Sequence, residues 1–329
     1  MADTASPAIP DEELDDNPDS LFQSDAASST QSITTSILDF CRENGRTYHR
    51  YKAGKYVMPN DNTENERLDL QNYIFLVTFE NKLGLAPSND ADSKVKRVLD
   101  LGTGTGIWAL DYADEHPEAE VTGIDLSPVQ PGFVPPNVQF IVDDIDEEWN
   151  YTRPFDYIHS RMMTMSVKDW KDYLKKIFDN LEPGGYVELQ EVDSSLTSDD
   201  GTLTTRHRLH KWCKLLNEAC IQLGRPMVPL AQIKEYMAEA GFVDIVDTHF
   251  KWPTNQWPED KKLKTIGQWN NINTGYALEG AALAPFSRVH GWSREDIAAF
   301  VAGARMELND PAIHAYWPIV SMYGRKPAP

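Results

Sequence analysis

Cysteine is scarce. Of 329 residues only Cys41, Cys213 and Cys220 carry a thiol, and none stands in a Cys-x-x-Cys pair. That pattern excludes a disulfide framework and a zinc ribbon and suits a reducing compartment. No apolar run reaches the ~18 residues of a membrane-spanning helix, and the first residues lack the charged-then-apolar order of a secretory signal. Basic residues are also few: 31 against 51 acidic, a net charge of -20, with no Lys or Arg before Arg42. A chain this acidic offers no evident basic face to neutralise a phosphate backbone, so neither nucleic acid nor membrane is expected among its partners. The expected location is cytoplasmic, with the nucleus left open.

What is present is a 41% hydrophobic chain, enough for a sizeable core. Residues 1–36, rich in Asp, Glu, Ser, Thr and Pro, read as a disordered acidic tail. Residues 37–95 read as an N-terminal lid extension in which Thr63 and Glu66 have capping-box spacing for a helix. Residues 96–329 alternate strand-like and helical runs, the mark of an α/β sheet. "RVLDL", "EVTGIDL", "VQFIVDDI", "FDYIHS" and "YVELQEV" supply five strands, and "FVDIVDTHFKW" and "AYWPIVSMYGR" two more around a helical cap insertion at about 253–310. Ser166 is placed to cap a helix with Val167, Trp170, Leu174, Ile177 and Leu181 on one face. Leu203 to Leu223 reads as a helix whose Leu209, Trp212, Cys213, Leu216, Ala219 and Cys220 share a face, which makes both cysteines core residues.

Between the first strand and its helix lies "LDLGTGTGIWAL", with Gly102, Gly104 and Gly106. Backbone N–H groups at such a turn face a bound cofactor. A dinucleotide fingerprint needs a third glycine one place later, where Ile107 stands, and a P-loop needs a Gly-Lys-Ser or Gly-Lys-Thr ending. The pattern is D-x-G-x-G-x-G. Asp100 is placed to receive an ammonium group. Asp125, beside Leu126 and about 20 residues after the last glycine, suits ribose hydroxyls. Asp144 suits an adenine amino group, with the Ile145 N–H on a ring nitrogen. Amino acid, ribose and adenine without phosphate describe S-adenosylmethionine.

"VLDLGTGTG", "VTGIDLS", "IVDDI", "FDYIHSRMM" and "LEPGGYVELQE", in that order, resemble the class I S-adenosylmethionine-dependent methyltransferases. "NGRTYHRYKAGKYVMPND" and "GTGIWALDYADEHPEAEVTGIDLSPVQP" narrow the likeness to the fungal LaeA-like methyltransferases, closely over residues 41–195. The resemblance implies a Rossmann-like seven-stranded sheet with its last strand antiparallel, and a cofactor held by Gly102, Gly104, Gly106, Asp125 and Asp144. It further implies that the N-terminal segment, with Tyr48, His49, Tyr51 and Tyr56, closes over the cofactor. The family includes both small-molecule methyltransferases and regulators of secondary metabolism. Two readings therefore stand: methylation, on oxygen, of a small-molecule acceptor, or regulation through nuclear protein partners. The tail lacks the basic cluster of an import signal.

Methyl transfer to a hydroxyl or acid needs one proton managed. His159, at the end of the fourth strand, is the candidate base, or else it packs against the cofactor. Glu191 could serve similarly, or be an exposed structural carboxylate. Arg161 suits a substrate carboxylate or a surface ion pair. His207 and His210 lack a third ligand, so no metal is expected. Trp269, Asn270, Asn271, Asn273 and Tyr276 either line an acceptor pocket or belong to an ordinary cap helix.

Overall fold

The computed structural model describes residues 40–328, and the acidic tail expected over residues 1–36 lies outside them. The extension opens with a β-hairpin, β1 (Phe40–Glu43) and β2 (Arg46–His49), not expected from the sequence, ahead of the helix that was expected there. Asn44 and Gly45, both at positive φ, make its two-residue turn. Helix α1 (Asn62–Thr78) follows, capped by Asp61, whose carboxylate accepts from Glu64 N. The cap is thus two residues upstream of the expected Thr63.

The central sheet contains β3 (Arg97–Leu101), β4 (Glu120–Asp125), β5 (Val138–Val142), β6 (Phe155–Arg161), β7 (Leu181–Val192), β8 (Val243–Pro253) and β9 (Tyr316–Arg325). Their spatial order is β5-β4-β3-β6-β7-β9-β8, with β9, the last in sequence, antiparallel to both neighbours. The strand order reverses beside β3, which opens a crevice at the carboxyl ends of β3 and β4. Helix α2 (Ile107–Glu115) covers one face through Trp108 and Tyr112, which pack on Tyr157. Helices α3 (Trp170–Asp179) and α5 (Leu230–Ala240) cover the other. Asp169 caps α3 by accepting from Lys171 N and Asp172 N, so the helix starts after the expected Ser166. Leu181 lies outside that helix because it already pairs with Phe155 as the first residue of β7.

A third layer stands over the carboxyl ends of the strands. It combines α1 with α4 (Arg208–Gln222), α6 (Lys261–His290) and α7 (Arg294–Leu308), the last two inserted between β8 and β9. Cys213 and Cys220 are buried there, as their helical spacing predicts. Trp212 Nε1 donates to Leu278 O and Trp252 Nε1 to Thr78 Oγ1, so these buried indoles tie α4 to α6 and β8 to α1. No helix among the described residues is long and apolar enough to cross a membrane.

Glu188, in the middle of β7, holds the extension to the sheet. Its fully buried carboxylate accepts from Leu85 N, Ala86 N, the Tyr157 hydroxyl and the Ser321 hydroxyl. Glu188→Ala strands four donors at once and should cost about 3 kcal/mol or more, read as a lowered urea midpoint. A loss under about 1 kcal/mol would contradict this assignment.

Candidate active site

The glycine loop folds around Asp100. One carboxylate oxygen lies 2.7 Å from His159 Nδ1 and the other accepts from Thr103 Oγ1 at 2.5 Å. Because a carboxylate can only accept, Nδ1 donates, and the proton-free nitrogen of the neutral ring is Nε2. His159 is fully buried, stacked on Trp108 with ring centroids 3.6 Å apart and planes 5° apart, and its Nε2 has no hydrogen-bond partner. Gly102 and Gly106 have positive φ. A Cβ on Gly102 would meet Met163 Sδ at 2.3 Å, and one on Gly106 would meet the Phe140 ring at 2.4 Å. What comes so close to these two positions is the protein's own side chains, Met163 and Phe140.

At the end of β4, Asp125 accepts from Gly104 N and Ser127 N, each at 2.9 Å. Burial outweighs these donors and pushes its carboxyl up to about 6. Asp144, after β5, is buried and ion-paired with Lys55, and its other oxygen accepts from Asp146 N. Lys55 also lies near Asp146 and Glu147, while Lys52 reaches Glu147 at 2.7 Å. The segment after the hairpin is thus strapped by two lysines to the loop that carries Asp144. Asp100, Gly102, Gly104, Asp125, Leu126, Asp144, Ile145 and His159 border one cavity of about 250 Å³, whereas Gly106 is outside its lining.

The cavity continues beneath the cap layer, where its wall becomes apolar: Met58, Met162, Met165, Met227, Trp212 and Trp317. Ala277 and Ala281 are the face that α6 presents to it. The amides expected there do other work. Asn270 donates to Trp252 O and Pro253 O, and Asn271 to Thr254 O and Leu308 O; Asn273 accepts from Arg67. They anchor α6 to its surroundings, while Trp269 packs on Tyr73 and Tyr276 is exposed.

Other expected residues are redistributed. Tyr48 is buried outside the cavity lining, near Arg288, and its place is taken by Tyr56. His49 is buried, with Nε2 at 3.3 Å from Lys52 O, and Tyr51 is also outside the lining. Glu191 is fully buried instead of exposed: it accepts from Met163 N, Thr164 N and Thr164 Oγ1, and burial raises its carboxyl to about 7. His207 is the N-cap residue of α4, and its Nδ1 accepts from Thr204 N. Among the described residues no group of three or more His, Cys, Asp or Glu is arranged to hold a metal. Sequence reasoning missed Lys55, Gln71 and the buried Glu64–Arg67 pair; the i, i+3 spacing of the last was a readable signal.

A family model described as a methyltransferase domain matches residues 71–246. The chain is 38% identical over 304 residues to methyltransferase pytC of Aspergillus terreus, covering 92% of this chain and 93% of that protein. It is 39% identical over 267 residues to the probable methyltransferase tdiE of Emericella nidulans, covering 80% and 82%. To the secondary metabolism regulator laeA of Aspergillus fumigatus it is 36% identical over 290 residues, covering 87% and 76%. The chain belongs to the fungal LaeA-like family of class I S-adenosylmethionine-dependent methyltransferases. Its cofactor is S-adenosylmethionine. The residues present fit that group, since an unpartnered Nε2 and the carboxylates of Asp100, Asp125 and Asp144 border a cavity with no phosphate-binding lysine in its glycine loop.

Asp125, expected from the sequence to hold the ribose, makes that expectation testable through pH. Raised to about 6, it is an ionised acceptor above that pH and a neutral carboxyl below it. Affinity for S-adenosylhomocysteine should therefore fall about tenfold from pH 7 to pH 5 by calorimetry. Asp125→Asn should bind more weakly at pH 7 and lose most of that slope. Equal wild-type affinities at the two pH values would contradict the assignment.

Proposed function

We propose that this methyltransferase acts on an oxygen atom of a small, largely apolar acceptor in fungal secondary metabolism. The observation that carries the reading is the continuity of one cavity from the glycine loop into the chamber of methionine and tryptophan side chains. Such walls suit a polycyclic or aromatic acceptor, and the relatives named as methyltransferases point the same way.

In this reading the glycine-loop backbone and Asp100 hold the amino-acid end of the cofactor, Asp125 with Leu126 holds the ribose, and Asp144 with Ile145 the adenine. Gly106 supports the loop from outside the cavity lining, and Tyr56, where Tyr48 was expected, closes the lid. When bound, S-adenosylmethionine supplies an electrophilic methyl group on a sulfonium centre. The apolar chamber aligns the acceptor and excludes water, and alignment of this kind supplies ~7 to 11 kcal/mol. His159 Nε2 accepts the acceptor's hydroxyl proton, and Asp100 stabilises the imidazolium that results. In this reading the protein acts in the cytoplasm, on a small-molecule acceptor.

A second reading has its own support. The 36% identity to the secondary metabolism regulator laeA extends over 87% of this chain, which fits a regulatory methyltransferase acting through protein partners.

Methyl-labelled S-adenosylmethionine incubated with the protein and fungal extract separates the two. Label is expected in the organic-soluble fraction, and label confined to protein would overturn the small-molecule reading. With the acceptor in hand, His159→Asn keeps a donor toward Asp100 and removes Nε2. It should lower kcat by about 10² to 10⁴ at saturating cofactor. A change within about threefold would remove His159 from proton transfer.

A further inference from the structure

We infer that Arg161 and Gln71 form a carboxylate-binding subsite inside the cavity. The proposal rests on the reading of this cavity as the S-adenosylmethionine site. Three guanidinium groups border the cavity, and two are already engaged. Arg67 is bonded to Glu64 and Asn273, and Arg225 to Ser166 O and Asp146. Arg161, the last residue of β6, differs. Its guanidinium lies over the Phe75 ring, 5.0 Å from the centroid, and makes no hydrogen bond or ion pair among the described residues.

Gln71 stands one turn before Phe75 on α1, so it is on the same side of that helix as the ring that carries Arg161. It is 6% exposed, borders the same cavity, and its amide likewise makes no side-chain hydrogen bond among the described residues. His159, two residues before Arg161 on the same strand face, brings its unpartnered Nε2 to this stretch of the wall. Unmatched polar groups from two separate elements thus converge on one cavity.

Arg161 is only partly exposed, and a guanidinium in such a place without a protein acceptor is costly. Burial lowers that of Arg161 to about 10, which still leaves it charged at neutral pH. Neither nearby carboxylate bonds to it: Asp100 is engaged by His159 and Thr103, and Asp111 accepts from Asn72 on one oxygen at 3.4 Å. The missing acceptor is therefore a ligand group. A planar carboxylate matches the guanidinium fork bidentately, and the Gln71 amide supplies a further donor. Two sources share this chemistry: the α-carboxylate of the cofactor's methionine end, and a carboxylate on the methyl acceptor.

The test uses the full chain, with Arg161→Gln and the milder Gln71→Met, each checked for a native unfolding transition. Calorimetry compares S-adenosylhomocysteine with 5′-methylthioadenosine, which lacks the amino acid, and saturation-transfer NMR follows benzoate on protein loaded with S-adenosylhomocysteine. If the cofactor is the source, Arg161→Gln weakens S-adenosylhomocysteine at least about tenfold and leaves 5′-methylthioadenosine unchanged, with a smaller loss in Gln71→Met. If the acceptor is the source, both nucleosides bind as in wild type and the benzoate signal is lost. Unchanged binding of all three probes by both folded variants overturns the subsite. Failure of the wild-type protein to bind either nucleoside overturns the cofactor reading itself, and the subsite with it.

Discussion

The contact between Asp100 and His159 joins the two central strands at the edge where everything else meets. Asp100 and His159 are direct partners in the parallel register of β3 and β6, so their side chains share a face of the sheet. Trp108 stacks on the imidazole from α2, and Thr103 binds the other carboxylate oxygen from within the glycine loop. One buried carboxylate therefore fixes the loop, the helix that follows it and the tautomer of the histidine. Its position beside the topological switch point is what turns a sheet edge into a cofactor crevice.

The cap layer completes the site by a different kind of force. Its helices bury a large apolar surface, and the chamber is the part of that surface left facing the strand ends. Polar groups inside the layer are paired where they join helices, as in Glu64–Arg67–Asn273 between α1 and α6. Buried polar groups usually have partners; the unpartnered His159 Nε2 shares the cavity wall with Arg161 and Gln71, whose side chains also make no hydrogen bond among the described residues, and that grouping is what is informative about a ligand. The lysine strap closes the other end of the cavity, with Lys55 bound to the carboxylate assigned to adenine.

Much of the sheet was legible because buried parallel strands read as short apolar runs separated by turn residues, and the glycine spacing told one cofactor from another. The buried face of α4, cysteines included, followed from helical periodicity. The hairpin of the extension was not legible, since four-residue strands carry too little alternation to separate from a loop. Tyr48 and Tyr56 are equivalent by composition, and only the fold decides that the second faces the cavity. The asparagines of α6 looked like a polar pocket wall, but an amide near buried strand-end carbonyls satisfies those first. Glu191 misled for a related reason: the three donors that permit its burial lie in a loop after another strand, at no fixed sequence spacing.

The central claim is that Asp100 holds His159 with Nδ1 protonated, leaving Nε2 as the proton acceptor in the cavity. Nitrogen-15 NMR of imidazole-labelled protein measures this directly. The account predicts a His159 pattern with the proton on Nδ1 and a free lone pair on Nε2 in the neutral ring, abolished as a distinct signal in His159→Asn. A neutral ring protonated on Nε2 would contradict it.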